Sequence, residues 1–325
     1  MSAFAAKAGL PAAPATTAAF NKYSTAMDPF AITLTVNTVS MPLTVHQTNK
    51  EESWPGGALW DPGVVLVKLF QKSFGSVAIA NEHPTIQALS SLILLRDTTV
   101  VELGCGVGLT GIALGALGAK HVLVTDMPVV IDAVTRANVK RNELHYSTKA
   151  NNNTHSSSVV ALPLLWGDAA STREQVDELF STLAAKNDGG VVNLVLAADI
   201  AYACAGAFSH FDPFMATLLG VWDRSDANRE LAERGKEKGG GAKKKKKGKK
   251  REPETSKGGG GGETIFIYCH RRRMAASEDL LHLIYQEFED VLEPIGAESI
   301  DGKMFYGGKR TISVHILKRR QVISD

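Results

Sequence analysis

The chain has 325 residues, of which 44% are hydrophobic, 22% charged and 7% aromatic, and 36 basic side chains nearly balance 34 acidic ones. Those fractions exclude a wholly disordered or fibrous protein. Three cysteines, with no C-x-x-C pair among them, exclude a disulfide framework and a structural zinc site and fit a reducing compartment. No apolar run approaches the roughly 18 residues of a membrane-spanning helix, so no membrane partner is expected.

Residues 1–27 are Ala-rich, and Met1 to Phe20 carry no charge but Lys7; they predict a disordered N-terminus. The basic start and compact apolar run of a secretory signal are missing. An organelle-targeting reading stands beside cytoplasmic residence, because no acidic residue precedes Asp28. Residues 28–50 hold two short runs, AITLTV and PLTVHQ, that predict a pair of extra strands in front of the main domain. The core, residues 98–325, then alternates. Thr98–Leu103 reads as a strand, Leu109–Leu117 as a helix and His121–Thr125 as a strand. Pro128 opens a helix through Asn142, on which Val130, Ile131, Val134 and Val139 keep helical spacing. The polar run 151–158 reads as a loop before a strand at Ser158–Leu162. Ser171–Ala185 reads as a helix with capping-box spacing from Ser171 to Glu174. A strand at Val191–Ala197, a helix from Gly206 to Trp222, a strand at Thr264–Cys269 and a helix at Ser277–Phe288 follow. Two closing strands are expected near Glu298–Phe305 and Thr311–Leu317. Alternation of this kind predicts one Rossmann-like α/β domain, with a parallel sheet covered by helices on both faces.

Residues 223–262 interrupt the pattern. They hold 14 Lys and Arg against 7 Asp and Glu, including AKKKKKGKK, and end in a run of glycines. Such a segment has nothing apolar to bury and repels itself, so a disordered loop is expected there. Two readings of it stand: a tolerated insertion, or a contact for RNA, ribosomes or an acidic partner, with a nuclear-localisation signal among the variants of the second.

The first strand and helix enclose Glu102-Leu103-Gly104-Cys105-Gly106-Val107-Gly108-Leu109. A dinucleotide fingerprint would need glycine where Leu109 stands. Glycines at 104, 106 and 108, with an acidic residue two before the first, suit S-adenosylmethionine, which has no pyrophosphate to cradle. Asp126, at the end of the next strand, is placed to accept hydrogen bonds from both ribose hydroxyls; it equally occupies a helix N-cap position ahead of Pro128.

Four further segments make the chain resemble the family 16 seven-β-strand methyltransferases, which modify protein lysines. They are Gly57-Ala58-Leu59-Trp60-Asp61 with Val64, Val65 and Leu66; Thr125-Asp126-Met127-Pro128 with Asn138 and Asn142; Leu165-Trp166-Gly167; and Ala198-Asp199-Ile200-Ala201-Tyr202, which matches that family's D-x-x-Y motif. The resemblance runs from about residue 40 to the C-terminus, less the insertion. It implies a single seven-strand class I methyltransferase domain and S-adenosylmethionine as cofactor. It also implies cofactor contacts from Trp60, Glu102, Gly104, Cys105, Gly106, Asp126, Met127, Trp166 and Ala198. Asp199 would orient an incoming amine by a charge-assisted hydrogen bond, and Tyr202 would supply an aromatic wall to a cationic centre. Asp199 as a cap for the following helix is the structural alternative. The expected partner is a protein substrate met by a monomer. A histidine, a small molecule or RNA as acceptor, and a catalytically silent protein binding through its Lys-rich loop, are the alternatives.

The chain departs from that family pattern at two places. Ala203-Cys204-Ala205 stands where acidic residues are usual, and Met274-Ala275-Ala276 stands where a Glu is usual. Both border the expected substrate entrance. Arg271, Arg272 and Arg273 are candidates there for an acidic peptide or a nucleic-acid backbone, or form a solvated strand end. His270 has no assigned role. Cys105, Cys204 and Cys269 all fall near strand ends, which predicts inhibition by thiol reagents.

Overall fold

The run at Thr99–Leu103 (β3) is buried at every position, as the central strand of a sheet covered on both faces must be. In the computed structural model it pairs in parallel with His121–Asp126 (β4) on one side and with Leu194–Ala198 (β6) on the other. The model describes residues 29–36, 38–48, 55–75, 81–146, 157–167, 169–185, 190–201, 211–239, 263–272, 275–301 and 312–321. Ser158–Pro163 (β5) extends the sheet beyond β4, and Ile265–Arg271 (β7) extends it beyond β6. Phe288–Gly296 (β8) and Ile312–Arg319 (β9) complete it in the order β5-β4-β3-β6-β7-β9-β8, with β9 antiparallel to both neighbours. The seven-strand Rossmann-like architecture expected from the sequence is present.

Alternation along each strand sorts the core into two layers. Val100, Val122, Val124, Leu194, Leu196 and Ile267 pack with one set of helices. These are Asp61–Phe74 (α1), Pro84–Leu92 (α2), Leu109–Ala116 (α3) and a composite helix α4, built from Pro128–Val130, Ile131–Thr135 and Arg136–Arg141. Val101, Leu103, Leu123, Val195, Phe266 and Tyr268 face the other set: Ala169–Ala184 (α5), Phe211–Gly239 (α6) and Ala275–Glu287 (α7). Phe30–Val36 (β1) and Val39–Val45 (β2) form the expected antiparallel hairpin. Its buried residues Leu34, Met41, Leu43 and Val45 dock on the first layer.

Two asparagines on α4 fasten the hairpin. Asn142 Oδ1 accepts from Thr44 N at 2.9 Å while its Nδ2 donates to Thr44 O at 2.8 Å. One turn earlier, Asn138 does the same to His46, with Oδ1 accepting from His46 N at 2.9 Å and Nδ2 donating to His46 O at 3.0 Å. Each amide thus satisfies a donor and an acceptor of an extended segment that lacks a strand on that side.

Several expected boundaries move. The helix expected to end at Trp222 continues to Gly239, so the interruption does not begin at 223. Residues 223–239 carry no proline and hold three Glu, three Arg, two Lys and two Ala, which favour helix, and tertiary contacts hold them. Ser225 Oγ bonds Val192 N and O at 2.9 Å, Asn228 Nδ2 donates to Gly190 O at 2.7 Å, and Arg229 donates to Thr264 Oγ1 at 2.9 Å. The strand expected near Glu298–Phe305 is instead β8, at Phe288–Gly296, and Ala297–Ile300 is a helical turn. Helix α5 starts at Ala169, ahead of Ser171, so Ser171 does not begin the helix. The N-terminus expected to be disordered, most of the polar run 151–158 and the Lys-rich stretch from 240 lie outside the described residues. Among the described residues, no helix is long and apolar enough to cross a membrane.

Candidate active site

Strand order reverses between β4 and β6 on either side of β3, and ligands of open α/β sheets bind at such a switch point, beyond the C-terminal strand ends. A cavity of about 560 Å³ lies there, lined from the ends of β3, β4, β5 and β6 and from the segment that leads into α1. Trp60, Glu102, Gly104, Cys105, Gly106, Asp126, Met127, Trp166, Ala198 and Asp199 all line it. Tyr202 and Cys204 lie outside the described residues.

The glycine turn makes the close approach possible. Gly104, Gly106 and Gly108 have φ of +71°, +54° and +81°, a region that side chains disfavour. A Cβ on Gly104 would stand 3.0 Å from Ile200 Cγ2 and 3.2 Å from the Trp166 ring, and one on Gly106 would stand 3.1 Å from Gly56 O. That overlying segment runs on into residues 57–61, singled out in the sequence from Gly57 but not at Gly56. Its glycine is required, because a Cβ on Gly56 would lie 2.7 Å from Val130. The same segment is tied down by Thr48 N donating to Gly57 O and Leu59 N donating to Gln47 Oε1, each at 2.8 Å. The Gly56-Gly57 pair was the available signal; the Gln47 contact has none in sequence.

Asp126 binds the turn itself: Oδ2 accepts from Gly106 N at 2.8 Å and Oδ1 from Met127 N at 2.7 Å. Burial raises its pKa to about 6, against the lowering effect of those two bonds. Each oxygen keeps a lone pair for a ligand hydroxyl. Glu102 sits deeper, almost fully buried, with Oε2 accepting from Gly111 N at 2.9 Å near the start of α3. Burial pushes its pKa up to about 8, so the carboxyl is largely protonated at neutral pH.

The indole of Trp166 packs edge-on against Phe214 with ring centroids 5.1 Å apart, and Trp60 Nε1 donates to Pro55 O at 3.1 Å. Gln175 of α5, another residue without a sequence signal, accepts from Leu165 N and so holds the β5 end beside Trp166. Asp199 is buried in a left-handed conformation, φ +57°, with its N–H donating to Cys269 O at 2.8 Å. A non-glycine residue held there signals a backbone over-determined by its surroundings, a feature that clusters at functional sites. Ile200 and Ala201, directly after Asp199, are in a 3-10 turn, so Asp199 also stands at a cap position; the next described α-helix begins at Phe211.

The strand-end arginines do not act together. Arg271 turns inward to form an ion pair with Asp61 of α1, both side chains largely buried, whereas Arg272 is exposed and pairs with Glu278 at 2.7 Å; Arg273 lies outside the described residues. Arg271 is therefore an internal strut between β7 and α1. His270, which had no assigned role, is buried, its ring centroid 5.2 Å from Tyr268 and 5.5 Å from His315. Cys105 and Cys269 are buried, and burial drives both thiols well above their ordinary pKa. That opposes the expected reaction with thiol reagents. Trp222 is a core residue, edge-on to Phe288 at 5.2 Å.

Among the described residues, the lining carries carboxyl groups at Glu102, Asp126 and Asp199 and no lysine, arginine or histidine. Acceptors for hydroxyls, flat indole faces and glycine backbone open to close contact fit a nucleoside bearing a cationic sulfonium.

A family model described as lysine methyltransferase matches residues 38–226. A 67-residue stretch is 42% identical to the ribosomal protein L11 methyltransferase of Anoxybacillus flavithermus; it covers 19% of this chain and 21% of that protein, so the chain spans about a fifth of the length of the curated relative it matches. Among solved structures, a SAM-dependent methyltransferase described as putative from Streptococcus mutans superposes with a TM-score of 0.40 at 10% identity, covering 90% of this chain and 56% of that one. A transferase from Pyrococcus horikoshii, likewise of putative assignment, gives 0.37 at 10% identity, covering 90% and 72%.

Proposed function

Because the chain belongs to the lysine methyltransferase family, family 16, and is an S-adenosylmethionine-dependent methyltransferase, we propose that it methylates the side-chain amine of a lysine in a protein substrate. The observation that carries this reading is the charge of the cavity: carboxylates at Asp126 and Asp199, a third carboxyl at Glu102 that keeps its proton, and no basic residue among the described lining residues. Such a wall favours a cationic acceptor beside a cationic cofactor and disfavours a polyanion such as RNA. The curated relative, whose name states a ribosomal protein as its substrate, supports a protein acceptor.

When bound, S-adenosylmethionine supplies an electrophilic methyl group on a sulfonium. In this reading Gly104 and Gly106 lie against its methionine portion, with Cys105 and Met127 as neighbouring cofactor contacts. Asp126 accepts from the ribose hydroxyls, Trp166 walls the adenine, and Trp60 and Ala198 close the sides. Glu102 acts from behind the turn, by holding Gly111. Displacement at a methyl group needs in-line alignment of a neutral amine, yet a lysine with pKa near ~10.4 arrives protonated. Asp199 holds the incoming ammonium by a charge-assisted hydrogen bond and fixes its direction until the proton leaves to water. Tyr202, three residues on, supplies the aromatic wall that the family motif implies. The enzyme works as a monomer, in the cytoplasm or nucleus, and the Lys-rich segment engages an acidic partner outside this cavity.

The test is incubation with methyl-tritiated S-adenosylmethionine and, separately, protein extract and total RNA. Tritium in protein, recovered after hydrolysis as methylated lysine and lost with Asp199→Asn, is the expected result. Label in RNA or in methylhistidine would overturn the lysine assignment.

A further inference from the structure

Helix α4, which follows the strand end bearing Asp126, is not uniform. Its middle segment, Ile131–Thr135, is a π turn between two α-helical pieces. A π turn widens the coil at some cost in hydrogen-bond geometry, and such bulges recur at functional sites. Thr135 closes this one. Its Oγ1 lies 2.6 Å from Gly106 O and 3.3 Å from Val130 O, five residues back. A hydroxyl has one proton, and the short contact takes it, so Thr135 donates to the Gly106 carbonyl. Three residues further along the same helix, Asn138 Nδ2 donates to Val107 O at 3.0 Å. Side chains at this spacing share a helix face, and these two grip successive carbonyls of the glycine turn.

Gly106 is therefore held at both ends: its N–H by Asp126 from the end of β4, and its C=O by Thr135 from α4. The restraint answers a specific weakness. With φ at +54° and no side chain, Gly106 is free to leave the conformation that presents the turn. The methyl group of Thr135 adds a second contact, lying 3.1 Å from where a Cβ on Gly108 would stand. Thr135 itself is fully buried and does not line the cavity; it reaches the ligand through the backbone it holds and through its contact with the Cys105 thiol.

We propose that Thr135 is a positioning residue for the cofactor, its hydroxyl clamping the Gly106 carbonyl so that the turn is preformed before S-adenosylmethionine arrives. Preforming a site lowers the ordering cost of binding, so the clamp acts on affinity. The inference rests on the reading of this cavity as the cofactor site.

The experiment is calorimetric titration of S-adenosylmethionine into the full-length wild type, Thr135→Ser, Thr135→Ala and Ser225→Ala, each well below its own melting temperature. Ser and Ala both lack the methyl group, so their difference isolates the hydroxyl. Thr135→Ala should bind about tenfold more weakly than wild type, and Thr135→Ser within about twofold of it. Ser225→Ala removes a buried hydroxyl bonded to Val192, remote from the cavity; it should lower the melting temperature and leave affinity alone. Equal affinity of the Ala and Ser variants would overturn the clamp. So would a loss in Ser225→Ala matching that in Thr135→Ala, because affinity would then merely follow fold stability. Wild type that fails to bind S-adenosylmethionine would remove the cofactor reading itself, and the clamp with it.

Discussion

A carboxyl group on a strand buried at every position has to be neutralised, and Glu102 achieves this by holding its proton. The elevated pKa, about 8, has a sign that can be tested. The unfolded chain ionises Glu102 near its ordinary value of 4.5, whereas the folded chain resists until about 8. Wild type should therefore lose stability relative to Glu102→Gln as pH rises from about 4.5 to about 8, with no further divergence above that. Melting temperatures of both proteins across pH 5–9 check it; parallel curves would refute the buried-acid reading. For Asp126 the ligand reports instead. Ribose hydroxyls donate to the carboxylate form, so affinity for S-adenosylmethionine should fall as pH drops through about 6 and be flat over the same range in Asp126→Asn. Glu102, Gly104, Gly106 and Asp126 were legible in the sequence because one strand–turn–helix and the next strand end fix their spacing. Gln47 and Gln175 were not, because each acts on backbone brought to it by the tertiary fold; Gly56, which makes room for the Val130 side chain, showed only as half of a Gly-Gly pair.

At the scale of elements, polar side chains on one helix do what a missing strand would do for another segment. Asn142→Ala leaves Thr44 N and O without their amide partners; it should cost about 2 kcal/mol and speed hydrogen exchange at Thr44 more than at Val124. Between α1 and β7 the buried Asp61–Arg271 pair is a sharper case. Removing Arg271 alone strands a carboxylate, so Arg271→Ala should destabilise by about 3–5 kcal/mol in urea unfolding. Asp61→Asn added to it should recover part of the loss. Helix and strand order was readable from hydrophobic period and turn residues. Three element-level features escaped: the π turn, whose apolar spacing looks α-helical; β8, whose charged residues obscure its alternation; and the last part of α6, where local charge resembled the Lys-rich run beyond it.

Across the whole molecule, two buried histidines among the described residues oppose Glu102 and Asp126 in the response to acid. Ring Nδ1 of His315 lies 2.8 Å from Tyr285 Oη and Nε2 lies 3.0 Å from Ser313 Oγ, and Tyr285 donates to Asp290 at 2.6 Å. His270 sits beside it, with Arg272 and Glu278 as the nearest charges on the flanking segments. Burial lowers both histidines to about 4. A depressed histidine stabilises the fold above its unfolded value and loses that contribution as pH falls. The contribution of each ring should decline from about pH 6.5 toward 4, by ~3 kcal/mol at the low end, against the opposite trend from Glu102 and Asp126. His315→Gln should make the decline shallower by one proton, as urea unfolding at stepped pH would show.

Helix α6 runs back from the strand ends that form the cavity. By Ser225, Asn228 and Arg229 it has reached Gly190, Val192 and Thr264, at the opposite, N-terminal ends of β6 and β7. Its 29 residues measure about 43 Å, longer than the strands it crosses. The Lys-rich insertion thus springs from the far edge of the sheet, between Gly239 and Glu263. Deleting 240–262 should leave cofactor affinity and melting temperature unchanged, as calorimetry would show. A polyanion held by the lysines would act as a tether, raising the local concentration of acceptor proteins that travel with it.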